Sequence, residues 1–285
     1  MRRNAPIRPE LRHWVLETTR AGHDVADLLR LMHETGYSPQ ESRRILAQVL
    51  KMPLSAIDVR ARPQPRKGLR IRLPDGPRVV ADGHAARVML SLEAPPLRVF
   101  DDLLSAEECD ALIELAKPRL QRARTVNVDG GQQIDPNRTS NGMFFTLGEA
   151  PLIRRIESRI AALLGLPVDH GEGLQVLHYL PGQQYEPHQD WFDPHQPGYA
   201  AITATGGQRI GSLVMYLNTP EAGGGTAFPE IGLTVTAQRG AAVCFTYEGG
   251  DAASLHAGLP VVRGEKWIAT KWLRERPYRE KAGHR

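Results

Sequence analysis

From residue 174 onward the chain breaks into short β-prone runs, 174–180, 212–217, 233–236, 241–247 and 267–272, separated by turns containing glycine and proline. Apolar runs of this length bounded by turn residues read as buried strands. Their number and brevity favour an antiparallel sandwich or barrel. Because helical segments precede them and can cover one sheet, the pattern fits a double-sheet jelly roll better than a parallel α/β sheet. The expected class is therefore mainly β with flanking helices (α+β), a double-stranded β-helix core plus an N-terminal helical segment.

The N-terminal part has a different rhythm. Leu29, Leu31 and Met32, then Ile45, Leu46, Val49 and Leu50, recur at helical spacing, so residues 1–60 are expected to be helical. Ser38-Pro39-Gln40-Glu41 is a capping box with proline at the first helical position, and Gly36 suits the end of the preceding helix. Residues 61–68 are basic and interrupted by two prolines, which reads as a linker. Short strands are expected at 69–73 and 87–92, a second capping box at Ser105–Glu108, and a helix over 151–164 stopped by Gly165. The expected division is 1–60 helical, 61–96 linker and short strands, 97–276 catalytic, and 277–285 a basic tail.

With 285 residues, 41% apolar and 24% charged, the chain can bury a sizeable core. No stretch approaches the roughly 20 apolar residues of a membrane-spanning helix. The N-terminal residues lack the apolar run of a secretory signal, so no membrane partner and a cytoplasmic location are expected. Cys109 and Cys244 lie far apart in apolar surroundings and read as buried small hydrophobes. The net charge of +4 is compatible with a polyanionic partner but too small to identify one.

His188-Gln189-Asp190 follows the first of the β-prone runs, in a context where Pro187 discourages helix. In extended chain, residues i and i+2 point to one side, so an imidazole and a carboxylate are presented together. A histidine on a neighbouring strand completes a facial triad, and His256 in Ser-Leu-His-Ala-Gly is the candidate. Two histidines and one carboxylate leave metal positions open for a bidentate cosubstrate and O2, the arrangement of non-haem Fe(II) oxygenases. An H-x-D pair also arises readily by chance as ordinary surface hydrogen bonding. Lys266 adds weight: it opens an apolar strand, and an inward-facing lysine calls for a carboxylate such as the distal end of 2-oxoglutarate. The alternative is a solvated, outward lysine.

Over roughly residues 97–276 the chain resembles the prolyl 4-hydroxylase family of Fe(II)/2-oxoglutarate oxygenases, of the bacterial, cytosolic type. The matching segments are Arg138-Thr139-Ser140-Asn141-Gly142-Met143-Phe144, Leu174-Gln175-Val176 with Tyr179, Gly182, Tyr185, Pro187, His188 and Asp190, Gly207-Gln208-Arg209, Met215-Tyr216-Leu217-Asn218, residues 223–229, and His256-Ala257-Gly258-Leu259-Pro260-Val261 with Gly264-Glu265-Lys266-Trp267. The resemblance implies that His188, Asp190 and His256 bind Fe(II). It implies that Lys266 pairs with the distal carboxylate of 2-oxoglutarate, helped by Tyr179 and Thr226, and that ascorbate serves as reductant. Tyr185, Arg138, Arg209 and Trp272 would face the substrate groove, although Arg209 equally suits an outer ion pair and Trp272 the sheet core. The implied reaction is 4-hydroxylation of a proline in a protein or peptide, with succinate and CO2 as co-products.

Leu259 stands where some relatives carry cysteine, and disulfide features of collagen-modifying members are lacking, so a collagen substrate does not transfer. Asp190 is intact, whereas related halogenases replace this carboxylate with a small residue. Other readings are a hydroxylase of a free amino acid or other small molecule, a zinc hydrolase, and an inactive jelly-roll binding module. Lys266 speaks against a nucleic-acid demethylase, whose relatives usually place arginine there, so nucleic acid is not an expected partner. His13, His23 and His33 carry no acidic partner set, and the N-terminal helices could recognise substrate or form a homodimer.

Overall fold

A computed structural model of the chain describes residues 7–20, 23, 25–52, 57, 70–126, 132–134, 137–247 and 252–278. The expected linker at 61–68 and the tail beyond Tyr278 lie outside the described residues. The chain divides into two compact units, Met1–Arg66 and Lys67–Arg285.

Among the described residues the first unit holds the helices α1 (Pro9–Arg20), α2 (Val25–Glu34) and α3 (Pro39–Leu50). Their apolar stripes close on a small core of Val15, Leu28, Met32, Ile45, Leu46, Val49 and Ile57. The Ser38–Glu41 capping box forms at the start of α3: Ser38 Oγ accepts the Glu41 N–H, and the Glu41 carboxylate accepts the Ser38 N–H.

The strands that build the two main sheets of the second unit are β1 (Arg78–Ala81), β2 (His84–Glu93), β3 (Pro96–Asp101), β4 (Gln121–Arg122), β5 (Asn141–Phe144), β6 (Gln175–Tyr179), β7 (Tyr185–His188), β8 (Arg209–Tyr216), β9 (Thr226–Phe228), β10 (Leu233–Val235), β11 (Ala242–Thr246), β12 (His256–Gly258) and β13 (Lys266–Arg274), and Arg124–Val126 with Gln132–Ile134 and Ala222–Gly223 with Val261–Arg263 form two further two-stranded ribbons. Among the described residues, nine antiparallel strands form the larger sheet in the order β1-β2-β3-β11-β8-β13-β6-β5-β4. A smaller sheet runs β10-β9-β12-β7. Together with the covering helices this is the expected mainly β jelly roll.

Two cores follow from the period of two along the strands. One face of the larger sheet presents Val176, Leu213, Met215, Ala242, Cys244, Trp267 and Ala269 to α4 (Ala106–Ala116) and α5 (Pro151–Leu164). Helix α5 buries Ile153, Ile156, Glu157, Ile160, Leu163 and Leu164, a stripe at helical spacing, and ends at Gly165 with φ of 64°. The opposite face presents Leu177, Tyr179, Val214, Tyr216, Val243, Phe245 and Ile268 toward Phe228 and Val235 of the smaller sheet. Strand β13 is buried along its whole length, so both of its faces enter a core.

The structure departs from the sequence reading at the start of this unit. Residues 70–73 form no strand. Ile71 and Leu73 pack against the helix-side core, and the Arg72 N–H donates to Leu164 O at 2.9 Å. Their alternation records packing on one side without a pairing strand. Strands β1 and β3 were not expected. They pair on either side of β2 through the registers Arg78↔Arg87 and Val88↔Phe100, and so bring β2 into the larger sheet. The compact unit thus reaches back to Lys67, well before residue 97.

Candidate active site

The smaller sheet brings the two histidines together. His188 at the end of β7 and His256 at the start of β12 are directly opposed in register on antiparallel strands, a pairing the sequence separation hides. Their rings lie 4.3 Å apart between centroids. Asp190, two residues beyond His188, is buried between them. His188 Nε2 lies 3.7 Å from Asp190 Oδ1, and His256 Nε2 lies 3.6 Å from Asp190 Oδ2. Those separations exceed a hydrogen bond yet suit ligands sharing one ion. One donor atom from each of the three lies within 4.8 Å of the others.

Backbone carbonyls fix both imidazoles. His188 Nδ1 is 2.8 Å from Glu186 O and His256 Nδ1 is 3.0 Å from Ser254 O. With the proton held at Nδ1, each ring offers Nε2 as a lone-pair donor. Burial and the neighbouring His256 push the His188 imidazole down to about 3, so it is neutral and able to ligate. Burial raises the Asp190 carboxyl, but the two imidazoles, Arg209 and a hydrogen bond from Ser212 more than reverse this and hold it below the ordinary carboxylate range. Ser212 Oγ donates to Asp190 Oδ2 at 2.5 Å. Phe245 meets the His256 ring edge-on at 4.7 Å. Three ligand atoms on one side, with both rings oriented from behind, fit a facial Fe(II) centre.

The triad opens on a cleft of about 430 Å³, also lined by Arg138, Tyr179, Tyr185, Thr226, Lys266 and Trp272. Lys266 and Tyr179 are direct cross-strand partners of β13 and β6, so both point to the same face. Lys266 is 1% exposed, and its Nζ lies 5.3 Å from the centroid of the Tyr179 ring. Among the described residues no carboxylate pairs with it. Burial alone pushes its ammonium down to about 8. The other buried lysine of the strand, Lys271, faces the helices and donates to Glu157 at 2.6 Å. Lys271 is paired within the protein, whereas among the described residues Lys266 has no carboxylate partner, an arrangement that suits a carboxylate ligand.

Thr226 on β9 faces the same cleft, its Oγ accepting from the Tyr216 hydroxyl at 2.8 Å. Tyr185 stacks on His188 with centroids 3.6 Å apart. The buried Arg138 lies over the Tyr185 ring at 4.8 Å and donates to Gln175 Oε1 at 2.9 Å. Trp272 lines the cleft near the exposed Phe144, with 6.2 Å between ring centroids.

Arg209 does not line the cleft. Its guanidinium grips the Glu172 carboxylate through two bonds of 2.6 and 2.9 Å, the outer ion pair, and lies over Trp272 at 4.1 Å. It also donates to the Asp190 carbonyl at 3.3 Å. Sequence reasoning missed the residues that hold the site from behind: Ser212, Tyr216, Phe245 and Glu172. A serine alternating with Val214 and Tyr216 in an apolar strand was the available signal for the first, since an inward polar group needs a partner.

A jelly roll carrying two histidines and an aspartate around one point, beside a buried lysine with no carboxylate partner among the described residues, fits the class of Fe(II)/2-oxoglutarate oxygenases. Residues 174–274 match the 2OG-Fe(II) oxygenase superfamily. The chain is 41% identical over 210 residues to probable prolyl 4-hydroxylase 10 of Arabidopsis thaliana, covering 65% of this chain and 71% of that protein. It is 39% identical over 203 residues to prolyl 4-hydroxylase 1 of the same plant, covering 64% and 70%. Among solved structures, the viral collagen prolyl hydroxylase of Paramecium Bursaria Chlorella virus-1, in its 2-oxoglutarate complex, is similar with a TM-score of 0.51 and 31% identity, covering 62% of this chain and 95% of that one. The chain belongs to the prolyl 4-hydroxylase family of these oxygenases. It is a 2-oxoglutarate-dependent dioxygenase, with Fe(II) and 2-oxoglutarate as metal and cosubstrate.

Proposed function

We propose that the enzyme hydroxylates C4 of a proline residue in a protein or peptide, with His188, Asp190 and His256 as the iron ligands. The observation that carries this reading is Lys266, a buried cation with no carboxylate partner among the described residues, in the same cleft as the triad. Lys266 and the Tyr179 and Thr226 hydroxyls hold the distal carboxylate of 2-oxoglutarate, replacing the water it loses on entry. Bound Fe(II), with O2 and 2-oxoglutarate, supplies the oxidising power that places one oxygen atom in a C–H bond as the cosubstrate becomes succinate and CO2.

The protein's own groups orient and exclude water, and no side-chain acid or base is needed at the C–H bond. Ser212 and the two Nδ1 contacts keep the ligand atoms in place. Tyr185 and Trp272 supply apolar faces for a pyrrolidine ring, and Arg138 supplies N–H donors for peptide carbonyls. Arg209 acts from outside the cleft, fixing Trp272 and the Asp190 carbonyl. Ascorbate is the expected reductant. Among the described residues no helix is long and apolar enough to cross a membrane, and we place the enzyme in the cytoplasm. We assign catalysis to the second unit, and substrate recognition or homodimer formation to the N-terminal helices.

Incubation with proline-containing peptides, Fe(II), 2-oxoglutarate and ascorbate should give hydroxyproline and succinate in equal amounts. If peptides leave 2-oxoglutarate turnover unstimulated while free proline or another amino acid raises it, the peptide substrate is wrong and a small-molecule hydroxylase takes its place.

A further inference from the structure

Tyr216 holds the site from behind, and among the described residues its hydroxyl is the one side-chain group hydrogen-bonded to Thr226 Oγ. It sits on β8 opposite Ile268 of β13, and Ile268 is opposite Leu177 of β6. This row adjoins the Lys266–Tyr179 pair on the same face of the sheet. Tyr216 is fully buried and lies behind the cleft rather than on its wall. Its hydroxyl meets Thr226 Oγ at 2.8 Å.

A phenol is the stronger acid of the two hydroxyls, so it donates and the threonine oxygen accepts. Once Thr226 Oγ is engaged as acceptor from behind, its own hydrogen is free for the cleft. Among the described residues that hydrogen has no acceptor. Lys266 presents only donors, and the Tyr179 hydroxyl makes no hydrogen bond among the described residues. From the bond and its direction we infer that Tyr216 is a positioning residue for the cosubstrate: it sets Thr226 as a donor, so that the cradle offers donors only and selects an anionic carboxylate. Without it, no described side chain holds Thr226 Oγ in the acceptor role, and the hydroxyl is free to turn away from the cleft. Hydrogen bonds in series also strengthen one another, which adds to the donor strength of Thr226.

This inference rests on the reading that Lys266, Tyr179 and Thr226 hold the distal carboxylate, and it is tested by binding rather than turnover. Affinity of the Fe(II)-loaded enzyme for 2-oxoglutarate is measured without O2 by calorimetry, for the parent, Tyr216→Phe, Thr226→Val and the double variant. The comparison ligand is 2-oxopentanoate, which keeps the keto-acid head and lacks the distal carboxylate. Loss of one neutral hydrogen bond predicts that Tyr216→Phe weakens 2-oxoglutarate about five- to tenfold, with iron stoichiometry and 2-oxopentanoate affinity unchanged. In the Thr226→Val background the same substitution should have no further effect.

An equal loss for both ligands, or a loss that persists beside Thr226→Val, would reduce Tyr216 to packing and overturn the inference. So would unchanged 2-oxoglutarate affinity in Tyr216→Phe. A Lys266→Met variant that keeps full 2-oxoglutarate affinity and full selectivity over 2-oxopentanoate would instead overturn the underlying cradle reading.

Discussion

Lys266 carries a positive charge into a sheet interior where nothing among the described residues neutralises it, and that residue is the most exacting test of the site. A charge-assisted hydrogen bond is worth about 1.5–3 kcal/mol, so Lys266→Met should weaken 2-oxoglutarate roughly 10- to 100-fold in an anaerobic titration while Fe(II) content stays at one per chain. The pH dependence has a definite sign. Burial holds the free Lys266 at about 8, and the bound dianion favours its charged form. Below pH 8 the lysine is already protonated and affinity is flat. Above it, binding must take up a proton, so affinity falls about tenfold per pH unit. Lys266→Met should abolish that slope, and an unchanged slope would assign it to another group.

At the scale of elements, β13 explains why one strand carries two buried lysines. Lys266, Ile268, Thr270 and Trp272 alternate toward the cleft, while Trp267, Ala269, Lys271 and Leu273 face the helices. Glu157, inside the apolar stripe of α5, meets Lys271 and also accepts the Gly148 N–H at 2.9 Å. Gly171 leaves room for that lysine, since a Cβ there would lie 2.2 Å from Lys271 Cε. Breaking such a pair leaves one buried charge alone. Lys271→Met is therefore expected to cost about 3–5 kcal/mol in urea unfolding, and adding Glu157→Gln should restore most of it. A double variant no more stable than the single would mean that Lys271 acts through packing. The helix ends behave as their residues dictate: Ser105 Oγ accepts the Glu108 N–H, and the Glu108 carboxylate accepts the Ser105 N–H.

For the whole molecule, two units with separate cores imply separable tasks. Removing residues 1–66 takes away α1–α3 and their own apolar cluster, and none of the cleft residues. The shortened chain should bind Fe(II) and 2-oxoglutarate with affinities within about twofold of the full chain, as expected for sites that do not couple. Peptide KM is the quantity expected to rise if the helices recognise substrate, and the sedimentation coefficient is the one expected to fall if they form a dimer. Loss of cosubstrate binding on deletion would contradict this division.

Local rules gave a good account of local features. The capping boxes at Ser38 and Ser105, the stop at Gly165, the buried cysteines and the short strands from residue 174 onward all depend on neighbours a few residues apart, and the structure has them, whereas residues 70–73 form no strand. His188 and Asp190 were legible for the same reason, because i and i+2 share a side of extended chain. Residue order by itself therefore determined the strand-rich class, the helical N-terminal part and two of the three residues of the candidate metal face. Only the tertiary structure set His256 opposite His188, gave Lys266 and Lys271 different partners, and drew Arg209 away to Glu172. Each of those outcomes turns on strand register and on which face of a sheet is covered. A slip of one residue would exchange the two lysines between cleft and helices, and local sequence preference does not fix that choice.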